Sequence, residues 1–243
     1  MIRFLVGTAL MLVSLSGCLQ PHGENSSIST ADASDAEITN MSVEQTNEIL
    51  DYFYEVALSS EFGESTGKVI KWETDIKIFI SGQYPTYLDV ELTKIIDELN
   101  QLSESIQLTR TASKEESNYL IHFGSAAEYS DIEPNAKPYV DDNWGLLWVY
   151  WDGNGEIYQG SMYVDVLRAT DEDAQKHILR EELTQSLGLL NDSYKYPESI
   201  FYQKWTETTE YSAIDQQIIK ILYSDKVKAN MTQQELNAVF KSL

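Results

Sequence analysis

The run from His177 to Asp192, HILREELTQSLGLLND, constrains this chain more than any other stretch. His177, Glu181 and Gln185 recur every four residues, so a helix stacks them on one stripe with Glu182 beside it. Leu179, Leu183 and Leu187 form a separate apolar stripe that needs a core to cover it. Upstream, Thr170 and Asp173 have the spacing of a Ser/Thr-x-x-acid cap, and Asp171 and Glu172 complement the positive end of the helix dipole. Gly188 suits the left-handed residue that ends a helix, and the bend it makes is expected to return Asn191 to the polar stripe. The fold must therefore present one face of this helix to a core and another to a polar cleft.

The elements around it follow from period and punctuation. Ser42 and Gln45 cap a first helix carrying Ile49, Phe53 and Val56 at helical spacing. Ile76, Ile78 and Ile80 alternate as a strand with one buried face. Pro85 and Thr86 open a long helix, with Thr86 and Asp89 as its cap and Val90, Ile95, Ile96, Leu99 and Leu102 as its apolar face. Strands are predicted near 106–111 and 118–124, joined by a charged turn at Lys114 to Glu116. Pro134 to Asn143 reads as an acidic loop. Trp144 to Leu167 reads as a hairpin turning at Asp152-Gly153-Asn154-Gly155. That turn lacks the spaced oxygen ligands of a calcium loop. After the central helix, Ser212 with Asp215 and Thr232 with Glu235 cap two final helices.

The chain begins with Arg3, an apolar run from Phe4 to Leu15, and Ser16-Gly17-Cys18. The run is too short to span a membrane and reads as a signal peptide, residues 1–17. Residues 18–40 are poor in groups that can be buried and read as a flexible tether, which leaves 41–243 as a single domain. Cys18 is the only cysteine, so no internal disulfide supports the fold. A formal charge of -22 leaves no electrostatic footprint for nucleic acid and repels anionic headgroups.

Leu15-Ser16-Gly17-Cys18 resembles the lipobox of bacterial lipoproteins. The resemblance implies cleavage before Cys18, lipid attachment at that residue, and membrane association through the lipid. Leu19, where aspartate would retain the protein, implies the outer membrane, facing the periplasm, within the bacterial cell envelope.

The frame Glu181-Glu182-x-x-Gln185-x-x-Gly188-x-x-Asn191 has the spacing of the zinc helix HExxHxxGxxH. Ile76-Lys77-Ile78 after Lys71-Trp72, Ser199-Ile200-Phe201-Tyr202, and Tyr211-Ser212-Ala213-Ile214-Asp215 through Leu222-Tyr223 resemble the first strand, the methionine turn and the final helix of the metzincin metallopeptidases, most of all the matrixins. The likeness runs from about Trp72 to Tyr223. It implies an α+β, zincin-like fold: a twisted mixed sheet of four to five strands, a long backing helix, the central motif helix and C-terminal helices. The three positions that would hold zinc histidines are Glu181, Gln185 and Asn191, Phe201 stands for the turn methionine, and only Glu182 matches the general base. Glu181 to Asp192 also resembles a family of bacterial lipoproteins with E-E-x-T-Q-x-L-G-L-x-N-D at this place.

Carboxamides are weak ligands for zinc, so no metal and no cofactor is expected. The favoured reading is a pseudopeptidase: an envelope binding or assembly factor for a protein or peptide partner. In that reading Glu181, Gln185 and Asn191 form a polar network over Phe201, supported by His177, Gly188, Asp192 and Tyr202. The alternative is a divergent hydrolase in which Glu181 with His177, Asn191 or Asp192 holds zinc or another divalent cation, and Glu182 acts as general base.

Overall fold

The structure is a computed structural model that describes residues 42–60 and 66–240. The signal peptide, Cys18 and the tether lie outside the described residues.

Helix α1, Val43–Ala57, starts at the expected capping box, with Ser42 and Gln45 satisfying each other's backbone N–H groups. Strands β1, Lys71–Trp72, and β2, Ile76–Gly82, lead into helix α2, Thr86–Leu102, and strand β3, Leu108–Arg110. Strand β4, Tyr119–Gly124, is followed by helix α3, Ala126–Ile132, and a 3-10 turn at Pro134–Ala136. The hairpin is β5, Gly145–Trp151, and β6, Glu156–Asp165; then come the central helix α4, Glu172–Gln185, and helices α5, Ala213–Leu222, and α6, Gln233–Phe240.

The strands form one mixed sheet in the order β3-β2-β4-β6-β5, and β1 continues beside the first residues of β6. All pairings are parallel except that of β5 with β6. The described sheet thus has six strands, one more than the upper expectation, because two-residue β1 joins it. Helices α2 and α4 cover one face, while α3 and the 3-10 turn cover the β5–β6 half of the other around Tyr129, Val140, Leu146 and Tyr163. The rings of Tyr129 and Tyr163 stack there at 4.6 Å. His122 is buried in β4, its Nδ1 2.9 Å from Ser81 Oγ. Among the described residues, no helix is long and apolar enough to cross a membrane.

Several local expectations are corrected. The charged turn does join two strands, and it carries the polypeptide across β2, which lies between β3 and β4 as the parallel neighbour of both. Helix α2 has Pro85 at its N-cap and no side-chain cap, since the Asp89 carboxylate accepts from Arg110 Nη1 at 2.8 Å. Val90 is 63% exposed; the buried face of α2 is shifted to take in Glu91, which meets a cation from α4. Helix α4 is capped by Asp171 and not by Thr170, because one carboxylate oxygen reaches the N–H groups of both Asp173 and Ala174. Helix α3 interrupts the stretch before the acidic loop, and its capping box of Ser125 and Glu128 was a legible signal.

Candidate functional site

Helix α4 is held on every side, which is why its polar residues have defined positions. Ile178, Leu179 and Leu183 are buried in the main core. Arg180 is completely buried; it donates to Glu91 at 2.7 Å and to Glu98, both on α2, and lies over the Tyr211 ring at 4.5 Å. The end of the helix is tied by Trp72 Nε1 donating to the Ser186 carbonyl at 3.0 Å and by Tyr223 hydroxyl donating to the Leu187 carbonyl at 2.7 Å. Gly188 has φ +114°, and a Cβ there would sit 1.9 Å from the Ile70 carbonyl oxygen, so the bend needs glycine both for its dihedral and for its closeness to β1.

The predicted stripe forms in part. His177 Nδ1 donates to the Thr208 carbonyl at 2.8 Å, which leaves Nε2 facing Glu181 Oε2 at 3.5 Å. The Trp205 ring meets this imidazole in a T-shaped arrangement with centroids 5.4 Å apart, and meets Trp144 in turn. Gln185 Nε2 donates to Asp192 Oδ1 at 2.6 Å, and Gln203 Nε2 reaches Asp192 Oδ2 at 3.4 Å.

Asn191 does not join Gln185. Its Nδ2 donates to the Glu55 carbonyl at 3.1 Å and the Asp192 carbonyl at 2.9 Å, and its backbone N–H donates to the Val56 carbonyl at 3.2 Å. The last-turn carbonyls of α1 lack intrahelical donors, and Asn191 supplies them. The glycine bend therefore returns Asp192, not Asn191, to the polar stripe.

Phe201 lies fully buried in the main core, outside the lining of the cavity described below, and its carbonyl accepts from Ser193 N at 2.9 Å. Its loop is anchored from beneath: Ser199 Oγ donates to Asp215 Oδ1 at 2.5 Å, contacts Tyr52 hydroxyl at 2.7 Å and accepts from Phe201 N at 3.0 Å. Asp215 Oδ2 accepts from Ile200 N, Ser212 N and Ser212 Oγ. Burial pushes the Asp215 carboxyl above its ordinary value, although each of these donors works against that shift. Tyr202 is half-buried beside Tyr194.

A cavity of about 380 Å³ opens against this framework. All seven residues of β5 line it, joined by Ser60, Tyr139, Asn143, Glu182, Gln185 and Leu190. A cavity on a sheet face touches alternate residues, so contact with seven in a row places this one along the strand's edge. That edge has no partner strand among the described residues, since β5 pairs with β6 alone.

The Asp165 N–H donates to the Trp144 carbonyl, which fixes the ladder: Leu146 and Trp148 bond inward to β6, while Gly145, Leu147 and Val149 turn their N–H and C=O groups to the open edge. Helix α4 passes directly under its start. A Cβ on Gly145 would lie 2.3 Å from Ile178 Cγ2 and 2.8 Å from Glu182 Oε1.

Of the residues the sequence singles out, then, Glu182 and Gln185 reach the cavity, while His177, Glu181 and Asp192 stand among the polar groups beside it. The open edge has no counterpart among the sequence expectations. A lone glycine at the head of an aromatic strand is its one legible sign, because such glycines mark close approach of another element. Arg180 is a second residue that the sequence reading passes over; a cation in a helix otherwise packed by leucine and isoleucine needs a buried partner. Among the described residues, no three His, Cys, Asp or Glu side chains are grouped so as to hold a metal ion.

A profile of the family described as "Protein of unknown function (DUF2927)" matches residues 46–242. No curated protein sequence matches the chain. Among solved structures, two of myroilysin align at 13% and 11% identity with TM-scores of 0.40 and 0.43; they cover 64% and 70% of this chain and 96% and 93% of theirs. High choriolytic enzyme 1, a hatching-enzyme zinc protease from the medaka Oryzias latipes, aligns at 13% identity with a TM-score of 0.31, covering 70% of this chain and 96% of its own. These likenesses concern the course of the chain and carry nothing about its chemistry.

Proposed function

We infer that this chain, which belongs to the DUF2927 family, is a binding protein with a metallopeptidase-like domain whose cleft receives an extended polypeptide without cutting it. One observation carries the reading: the unpaired edge of β5 turns the backbone groups of Gly145, Leu147 and Val149 into a cavity of about 380 Å³. A row of unpaired strand-edge donors and acceptors beside a mostly apolar cavity is what strand addition uses, with main-chain bonds supplying affinity and the cavity supplying selection.

The donor set argues against resident zinc. Gln185 directs its amide nitrogen at Asp192, Asn191 faces the end of α1, and Glu181 lies against His177. None of these is a strong ligand left converging on Glu182, so we derive no metal-activated water and no hydrolytic step. The competing hydrolase reading would need Glu182 beside such a converging set.

We further propose that residues 41–243 fold as one domain, held to the bacterial outer membrane on its periplasmic side by a lipid on Cys18 and the 18–40 tether, where the partner is an envelope protein or peptide. Hydrogen exchange tests the central reading. Saturating peptide should protect the amides of Gly145, Leu147 and Val149 while mass spectrometry finds the peptide intact. Peptide cleavage that is lost in Glu182→Gln, or stoichiometric zinc by elemental analysis, would overturn it. Loss of palmitate labelling in Cys18→Ala tests the anchor.

A further inference from the structure

We propose that Ser81, His122 and Glu128 form a second site, separate from the cleft, in which Ser81 attacks esters of small apolar acids, His122 is its general base and Glu128 positions the imidazole. The site lies on β2 and β4, with β6 between it and the open edge of β5, so it does not depend on the peptide-binding reading.

Ser81 and His122 are register partners on parallel strands, which puts their side chains together on one face of the sheet. That is the face of α3, because Tyr163 lies beside His122 in register and stacks on Tyr129 of that helix. Ser81 Oγ is 2.9 Å from His122 Nδ1. On the far side of the ring Nε2 is buried, has no hydrogen-bond partner among the described residues, and faces Glu128 Oε2 at 3.8 Å. Catalytic hydrogen bonds are often this long before substrate arrives. A carboxylate only accepts, so it favours the tautomer with hydrogen on Nε2, and Nδ1 is then the acceptor for the Ser81 proton. Hydroxyl, imidazole and carboxylate thus follow one another in the order that activates a nucleophile. Gly124 permits the meeting, since a Cβ there would lie 2.3 Å from His122 Nε2 and 2.7 Å from Glu128 Oε2.

Charge states suit these roles. Burial holds the imidazole below its ordinary value, so at neutral pH it is uncharged and able to take a proton. The Ser125 N–H and hydroxyl, both bonded to Glu128 Oε2, hold that carboxyl below its ordinary value and keep it ionised.

The nucleophile is also within reach. Helix α3 and the 3-10 turn cover the β5–β6 half of this face, and Ser81 on β2 is only half-buried. Half-buried Phe79, two residues earlier on the same face, and its register partner Leu120 give the acyl group an apolar shelf. The Lys77 carbonyl accepts from Asn118 N on the β4 side, so by alternation the Ser81 carbonyl faces β4 and the Gly82 N–H faces the other way. Strand β3 pairs with β2 only at Ile76–Ile78, and among the described residues no strand stands beside Gly82 on that side. This amide, the one that follows the nucleophile, is the donor we assign to the oxyanion.

In the reaction Ser81 Oγ adds to the ester carbonyl carbon as its proton passes to His122 Nδ1. The C–O bond to the alcohol then breaks, and Nδ1 returns the proton to the leaving oxygen. Water adds to the acyl-serine carbon and gives a proton to Nδ1; the bond to Oγ breaks, Oγ regains the proton, and the acid departs.

The test uses the full chain and two probes: p-nitrophenyl butyrate, and a fluorophosphonate, which bonds irreversibly to an activated serine oxygen. We expect a phosphonyl adduct that mass spectrometry maps to Ser81, and saturable release of p-nitrophenol. Ser81→Ala should remove both, and His122→Gln should lower turnover at least about a hundredfold. Glu128→Gln keeps the capping box, in which glutamine also serves, and should lower kcat about tenfold with KM unchanged, a split that a merely structural role would not produce.

The absence of an adduct at Ser81 in folded wild-type protein overturns the proposal and needs no variant. Turnover that survives Ser81→Ala overturns it as well. An adduct at Ser81 together with unchanged kcat in Glu128→Gln overturns the part given to Glu128.

Discussion

Replacing Arg180 by Met isolates what holds the site helix in place. Arg180 is fully buried between α2 and α4; it pairs with Glu91 at 2.7 Å and with Glu98, and Tyr211 covers its guanidinium at 4.5 Å. Methionine keeps much of the aliphatic stem but strands two carboxylates, of which Glu91 is 6% exposed. Breaking one side of a buried ion pair costs about 3–5 kcal/mol, because the remaining charge stays desolvated. For a domain of this size each kcal/mol moves the melting temperature by about 2–4 °C, so the variant should melt roughly 10 °C lower or more. The pairing account makes a second demand. Adding Glu91→Gln to Arg180→Met should recover part of the loss, since an amide can be buried at less cost than an unpaired carboxylate, whereas Glu91→Gln alone should destabilise. Calorimetry on the two single variants and the double variant closes the cycle. A loss under about 1 kcal/mol for Arg180→Met, or additive losses in the double variant, would refute the claim that charge pairing and not packing fixes α4 on α2.

Gly188→Ala should cost about 3 kcal/mol or more, because strain at φ +114° adds to a 1.9 Å approach to backbone that has no room to yield; equilibrium unfolding in urea reads it. Lys71, donating to the Leu222 and Val227 carbonyls, is pushed down to about 8 by burial. Its folded value lies below its unfolded one, so between about pH 8 and 10 the unfolded chain binds more protons and this group's share of stability rises with pH, by about 1–2 kcal/mol from pH 8 to 9.5. Lys71→Met should remove that rise, which paired unfolding curves at the two pH values would show. Asn191→Ala should cost about 1 kcal/mol through the bared α1 carbonyls and leave peptide affinity unchanged, while Gln185→Ala should alter affinity; the reverse pattern would restore Asn191 to the cleft.

Much of the architecture could be read from side-chain period. The polar and apolar stripes of α4, the capping boxes at Ser42 and Ser212, the turn at Asp152 to Gly155 and the glycine bend at 188 are local, and local rules determine them. Helix α4 would be polar and apolar on those same faces in any fold that kept it helical.

Tertiary structure decided which groups those faces meet. Val90 and Glu91 are neighbours in sequence, and only the arrival of Arg180 from α4 decides that the acid is buried and the valine exposed. Asn191 and Asp192 are adjacent too; the unsatisfied carbonyls of α1 claim the first and thereby deliver the second to Gln185. The open edge of β5 lies furthest from what sequence can show, because an edge is defined by the strand that is not beside it. Hydrogen bonds and charge pairs between residues far apart in sequence depend on where the backbone carries them, and pattern along a chain holds no record of that.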